Sequence, residues 1–298
     1  MTNPESDGDN PKSVPVHKCV LVIGRDAQVA EIVANALPDW ELVCTENNET
    51  ALPLLRSRLL HLVLTGDETS GQQDVELLRQ IRRVQPHLRL IILTSESTPA
   101  DVIESMKERA FSYFSAPYTT EALTDMLRHA TEAPVWDEGI ELLSATPEWL
   151  GLVARCDMRT ADRLVQFIHE FSDLEETHRY AVGTAFREML LNAMEHGGNL
   201  NPSQHVAISY VRARDAVICR IKDPGKGFSL EQLKESALSD PLDDPLKHME
   251  YRKAQGMRAG GYGILLAKSL VDDLIYNEDG NEVLLIKYVG RRVSETLP

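Results

Sequence analysis

The sequence predicts two folded parts of different class: an α/β, doubly wound parallel sheet, followed by an α+β sandwich with helices on one side of a mixed sheet. Three observations carry this expectation. Over residues 18–131, short apolar runs alternate five times with amphipathic stretches. From residue 139 onward the pattern changes to paired, alternating runs joined by short turns. A chain of 298 residues also has the length of two domains. The expected organisation is a disordered tail at 1–17, a first domain at 18–131, a linker at 132–138 and a second domain at 139–298.

The tail holds Pro4, Pro11 and Pro15 among Asp, Ser and Asn, a composition that cannot bury a core. Cys19 to Ile23 is a continuous apolar run closed by Gly24, which suits a strand buried on both faces. An amphipathic helix follows from Ala27 to Leu37, stopped by Pro38. Further strands are expected at Trp40–Cys44, His61–Thr65, Leu88–Thr94 and Ala110–Phe114. The helices between them are expected at Glu49–Arg58, Asp74–Val84 and Pro99–Glu108, with a polar loop running up to Gln73. The last helix spans Thr119 to Thr131, with Thr119 or Thr120 as its N-cap.

In the second domain, Ile140–Ser144 and Trp149–Cys156 read as strands about a turn at Thr146-Pro147. Asp157 or Thr160 can cap a helix over Ala161–Phe171, and Glu175–Glu195 is a long helical region. Val206–Val211 and Ala216–Ile221 alternate as an antiparallel pair. A loop at Asp223–Phe228 precedes a helical stretch at Leu230–Ala237 and a charged segment at Asp240–Gln255. A helix at Ile264–Val271 and a hairpin about Asp279-Gly280 close the chain.

A net charge of −15 speaks against general binding to nucleic acid or anionic membranes and leaves room for a basic protein partner. The four cysteines, Cys19, Cys44, Cys156 and Cys219, are scattered through apolar runs. They are expected to be small buried hydrophobes in a reducing compartment. The N-terminus has no apolar signal core, and no run approaches the roughly 18 apolar residues of a membrane span. A cytoplasmic protein is expected.

The chemistry concentrates in three segments. In Phe186–Gly198, Glu188, Asn192 and His196 stand at i, i+4 and i+8, along one face of a largely apolar helix. A buried carboxylate and carboxamide need partners. A metal ion with its nucleotide would serve, as would plain backbone bonds. Asp223-x-Gly225-x-Gly227 is the second segment. Its glycines let backbone lie flush against a flat ring, and Asp223 can accept a hydrogen bond from an exocyclic amine such as that of adenine. Gly260-Gly261-Tyr262-Gly263, opening a helix, offers backbone amides to phosphates. Asn192 then offers a carbonyl oxygen to Mg²⁺, and Glu188 is a candidate base toward a hydroxyl.

Residues 18–131 resemble the receiver domain of two-component response regulators in length and element order. The residues of its chemistry are replaced. Gly24-Arg25 stands where the acidic pair is expected, Gly66 where the acceptor aspartate is expected, and Ala116 where a lysine precedes Pro117. Asp67, one residue on, is in place only if the alignment slips. Thr94 keeps the hydroxyl after the fourth strand. The resemblance implies a pseudo-receiver, a module for docking or homodimerisation.

Residues 139–290 resemble the ATP-binding fold shared by gyrase, Hsp90, histidine kinases and MutL, and within it the anti-sigma-factor serine kinases. The resemblance implies a Bergerat-type ATP-binding sandwich using ATP and Mg²⁺. It assigns Mg²⁺ to Asn192 and adenine to Asp223, with Gly225 and Gly227 shaping the pocket. Gly261 and Gly263 would line the phosphates, and Glu188 would activate a serine of an anti-anti-sigma partner. His196 would cap the helix or meet a phosphate. Asp240–Gln255, running on through Gly256-Met-Arg-Ala-Gly260, corresponds to the ATP lid, where Arg252, Lys253 and Arg258 would meet phosphates or simply face solvent. Two alternatives stand beside the kinase. One is a non-catalytic, ATP-dependent switch that sequesters a sigma factor or other regulator. The other is a histidine-kinase-type protein, for which His169-Glu170 is the superficial match.

Overall fold

The computed structural model describes residues 18–66, 69–132, 139–227 and 263–290. The tail, the linker core at 133–138, Asp67, and the predicted helix and lid between 228 and 262 lie outside the described residues.

The N-terminal unit alternates as its periodicity predicts. Its elements are β1 (Cys19–Ile23), α1 (Ala27–Ala36), β2 (Glu41–Thr45), α2 (Asn48–Ser57), β3 (Leu62–Leu64), α3 (Gly71–Val84), β4 (Arg89–Thr94), α4 (Pro99–Lys107), β5 (Ser112–Ser115) and α5 (Thr120–Glu132). The five strands are parallel in the order β2-β1-β3-β4-β5. That is the doubly wound order of flavodoxin-like folds. Strands β1 and β3 are buried along their whole length, so both faces are covered by helices. Two expectations are corrected here. Helix α3 begins at Gly71 rather than Asp74, because Ser70 and Gln73 form a reciprocal capping box in what reads as loop. Cys44 is exposed rather than buried, because β2 is the edge strand.

The C-terminal unit contains β6 (Ile140–Thr146), β7 (Trp149–Arg155), α6 (Met158–Phe171), α7 (Glu176–Asn192), β8 (His205–Arg212), β9 (Ala216–Lys222), α8 (Gly263–Leu270), β10 (Asp273–Tyr276) and β11 (Glu282–Tyr288). The sheet order is β10-β11-β9-β8-β7-β6, and every described pairing is antiparallel. The expected mixed sheet is therefore an antiparallel one: β6 to β9 pair in succession, and β11 inserts between β9 and β10 and runs antiparallel to both. One face packs on helices through Leu150, Leu152, Val206, Ile208, Tyr210, Cys219 and Leu285, all buried. In β8 and β9 their alternate neighbours are less covered, the period of 2 expected of a one-sided sheet. No described helix is long and apolar enough to cross a membrane.

Helix α6 joins the two units. Arg163 is only 4% exposed, donates from Nε to the Phe111 carbonyl at 2.8 Å and lies over the Phe111 ring at 4.2 Å. Gln166 donates to the Tyr113 carbonyl at 2.9 Å, and the Ser115 hydroxyl donates to Glu170. One continuous apolar core runs from β1 and β4 through α6 to α7 and the antiparallel sheet.

Candidate nucleotide site

Helix α7 supplies the first wall of the site. Ala185, Phe186, Met189, Leu190 and Leu191 bury its other sides, which fixes the rotation of the helix and turns Glu188 and Asn192 toward α8. Gly263 is the first residue of α8. A Cβ there would stand 2.7 Å from Glu188 Oε2 and 3.7 Å from Asn192 Nδ2. The third glycine segment thus opens its helix directly against the carboxylate–carboxamide pair, and a side chain there would push the Glu188 carboxylate aside.

At its C-terminal end α7 does not continue as an α-helix. Ala193–Gly197 form a π turn, and the Gly198 amide donates to the Ala193 carbonyl at 2.9 Å. Asn199 and Leu200 then leave with positive φ, as a helix exit requires. The π turn interrupts the predicted single face before His196. Glu188 and Asn192 share one side, whereas His196 is exposed on the turn.

Asp223 follows β9 and packs on this turn. A Cβ on Gly197 would meet Asp223 Cγ at 2.2 Å, and one on Gly225 would meet Gly197 Cα at 2.9 Å. The Gly225 amide donates to Asp223 Oδ1 at 2.7 Å. Burial pushes the Asp223 carboxyl above its ordinary range, against the lowering effect of that amide. Gly227 has φ +75°, and a Cβ there would fall 1.8 Å from the Asp279 carbonyl. Its role is to let the loop lie against the β10–β11 hairpin.

Several residues of the site carry no sequence motif. Asn281 accepts from the Asp223 amide at 2.9 Å through its carbonyl and donates from Nδ2 to the Gly225 carbonyl at 3.2 Å. Asn277 in turn donates to Asn281 Oδ1 at 2.9 Å. The hairpin therefore props the Asp223 loop. Tyr276 donates its hydroxyl to Met189 Sδ at 3.3 Å, joining hairpin to helix beside Asp223. Gly197 and Gly198 read as helix terminators, yet Gly197 is the seat of Asp223, and a Cβ on Gly198 would collide with Cys156 Sγ at 2.3 Å.

The predicted residues thus fall into three groups. Glu188, Asn192 and Gly263 meet on the last turns of α7, and Asp223 and Gly225 meet Gly197 on the π turn that follows. Gly227 shapes the loop behind them. Gly260, Gly261 and Tyr262 lie outside the described residues, as do Arg252, Lys253 and Arg258. No cluster of three metal-binding side chains exists among the described residues. Mg²⁺ does not require one, because it keeps waters and phosphate oxygens and takes only one or two protein ligands.

Residues 154–287 match the family model of the histidine kinase-like ATPase domain. The chain carries a histidine kinase-like ATPase domain. It is similar to the serine-protein kinase RsbW of Oceanobacillus iheyensis, with 27% identity over 147 residues, covering 49% of this chain and 83% of that protein. It is also similar to the response regulator protein FleR of Pseudomonas aeruginosa, with 30% identity over 142 residues, which is 46% of this chain and only 30% of that protein. A response regulator structure from Thermotoga maritima overlaps 40% of this chain and all of its own, at 21% identity and TM-score 0.35. The parallel strand order, rather than that overlap, carries the receiver-like fold of the N-terminal unit. The ATPase domain implies ATP as its ligand, commonly with Mg²⁺.

Proposed function

We propose that this chain is a protein serine/threonine kinase that uses ATP and Mg²⁺ and acts on a partner protein of the anti-anti-sigma kind. The observation that supports it best is the placing of Gly263 against Glu188 and Asn192 on the last turns of α7, with Asp223 on Gly197 in the π turn that follows. A nucleotide lying along α7 would present its base to Asp223 and its phosphates to the start of α8. The orphan amides of a helix N-terminus favour phosphate there. Asn192 would supply one oxygen to Mg²⁺, which when bound neutralises phosphate charge. Glu188 would accept the proton of the partner's serine or threonine hydroxyl. The cleft would hold Asp223 away from water, which strengthens its single hydrogen bond to an exocyclic amine. The similarity to RsbW, a serine-protein kinase, points the same way.

The test is transfer of label from γ-³²P-ATP with Mg²⁺ to proteins that copurify with the full chain. Acid-stable label on a serine or threonine is expected. Glu188→Ala should abolish the transfer, at least about 100-fold, while ATP binding persists. An undiminished rate in Glu188→Ala would remove the base assignment. Acid-labile label would favour histidine-kinase chemistry, and binding without any transfer would favour the ATP-dependent switch.

A further inference from the structure

Helix α6 belongs to the ATPase domain, yet the N-terminal unit holds it along one side. Arg159 Nη1 donates to the Glu132 carbonyl at 2.7 Å, and Arg163, Gln166 and Glu170 make the contacts to Phe111 and β5 described above. Between these anchors, Asp162 faces an imidazole and a guanidinium. Its Oδ2 lies 3.9 Å from His129 Nε2 of α5, and its Oδ1 lies 3.8 Å from Arg187 Nη2 of α7. The other guanidinium nitrogen, Arg187 Nη1, lies 3.6 Å from Glu188 Oε1. One guanidinium is therefore shared between a carboxylate whose position the N-terminal unit sets and the carboxylate at the nucleotide site.

We propose that Asp162 and Arg187 are positioning residues through which the N-terminal unit controls Glu188. This rests on the reading of Glu188 as the base. While α6 is seated, Asp162 draws Arg187 away from Glu188. When α6 shifts, Asp162 moves with it and the guanidinium passes to Glu188. A carboxylate held in a closer ion pair is a weaker proton acceptor, so turnover falls. The distances exceed hydrogen-bond length and the groups are half-buried. The arm is thus loose enough to change partner, and a redistribution of charge, not a broken fold, is what is expected.

The test uses the full chain, with Mg-ATP and water as the acceptor in place of the partner hydroxyl. Asp162→Asn should lower kcat for phosphate release on the order of fivefold with the KM for ATP unchanged. Asp162→Asn combined with Arg187→Gln should turn over like Arg187→Gln alone, because without the guanidinium Asp162 has nothing to withhold. Gln166→Ala, which loosens α6 without touching Asp162 or Glu188, should act in the same direction as Asp162→Asn. A readout independent of turnover is the Nε–Hε NMR signal of Arg187, assigned by its loss in Arg187→Gln. It should move in Asp162→Asn, in Glu188→Gln and in Gln166→Ala. An Arg187 signal that stays in place in Asp162→Asn, or a double variant slower than Arg187→Gln alone, overturns the proposal. If Glu188→Gln turns over normally, the base reading fails, while the Arg187 signal still decides whether the guanidinium is shared.

Discussion

Asp74 shows how strongly one buried group can govern this chain. Its side chain is 0% exposed, and both its oxygens accept from the Thr69 hydroxyl, at 2.8 and 2.9 Å. Burial outweighs these bonds and pushes the carboxyl up to about 7. The folded chain therefore keeps a proton over the window from about pH 4 to 7 in which the unfolded chain has released it. Stability contributed at this residue is present at low pH and lost as pH rises through 7. Urea denaturation at pH 5 and pH 8 should show a wild type that is weaker at pH 8, and Asp74→Asn should flatten that difference. An unchanged difference would mean that Asp74 is ionised in the fold. Glycines act at the same scale in the opposite sense: Gly197, Gly225 and Gly263 matter for the side chain they lack, since each leaves a space that a Cβ would fill.

Among the elements, those set by local pattern were legible and those set by distant contacts were not. The continuous apolar runs of β1, β3 and β4 announced strands covered on both faces, and the alternation in β8 and β9 announced a one-sided sheet. Glu188, Asn192 and Asp223 were legible because helix spacing and glycine placement are local. The π turn at Ala193–Gly197 was not, since nothing in Ala-Met-Glu-His-Gly departs from an α-helical composition. Asn281 and the α6 seam were equally hidden, because their partners lie 56 and more than 50 residues away. Capping was half legible: Asp157 was one of two candidates, and its Oδ1 accepts from the Thr160 amide at 2.9 Å while Arg155 donates to Oδ2 at 2.6 Å. Asp157→Ala should cost about 1–2 kcal/mol in chemical denaturation. A loss below a few tenths would show that α6 is held by its packing on β5 alone. The receiver-like elements carry their own prediction. A Cβ at Gly66 would stand 2.6 Å from the Ile23 carbonyl and one at Gly24 3.0 Å from Gly66 Cα, so the loops after β1 and β3 close on each other where a phosphoacceptor would sit. Incubation with acetyl phosphate should leave no acyl phosphate on residues 18–132, and label there would show a working acceptor.

On the scale of the whole molecule, α6 makes contacts between the two units. The same helix meets β5 on one side and α7 on the other, and the C-terminal turns of α7 with the π turn after them carry the residues of the nucleotide site. A net charge of −15 means that a polyvalent anion such as ATP needs local helix amides to offset its charge. The central claim is that segments far apart in sequence form one adenine-nucleotide site. Calorimetric titration of the full chain with ATP and Mg²⁺ tests it most directly. One site per chain is predicted, weakened about 10- to 100-fold in Asp223→Asn, the loss of one hydrogen bond to a charged group. Absence of binding, or equal affinity in the two proteins, would contradict it.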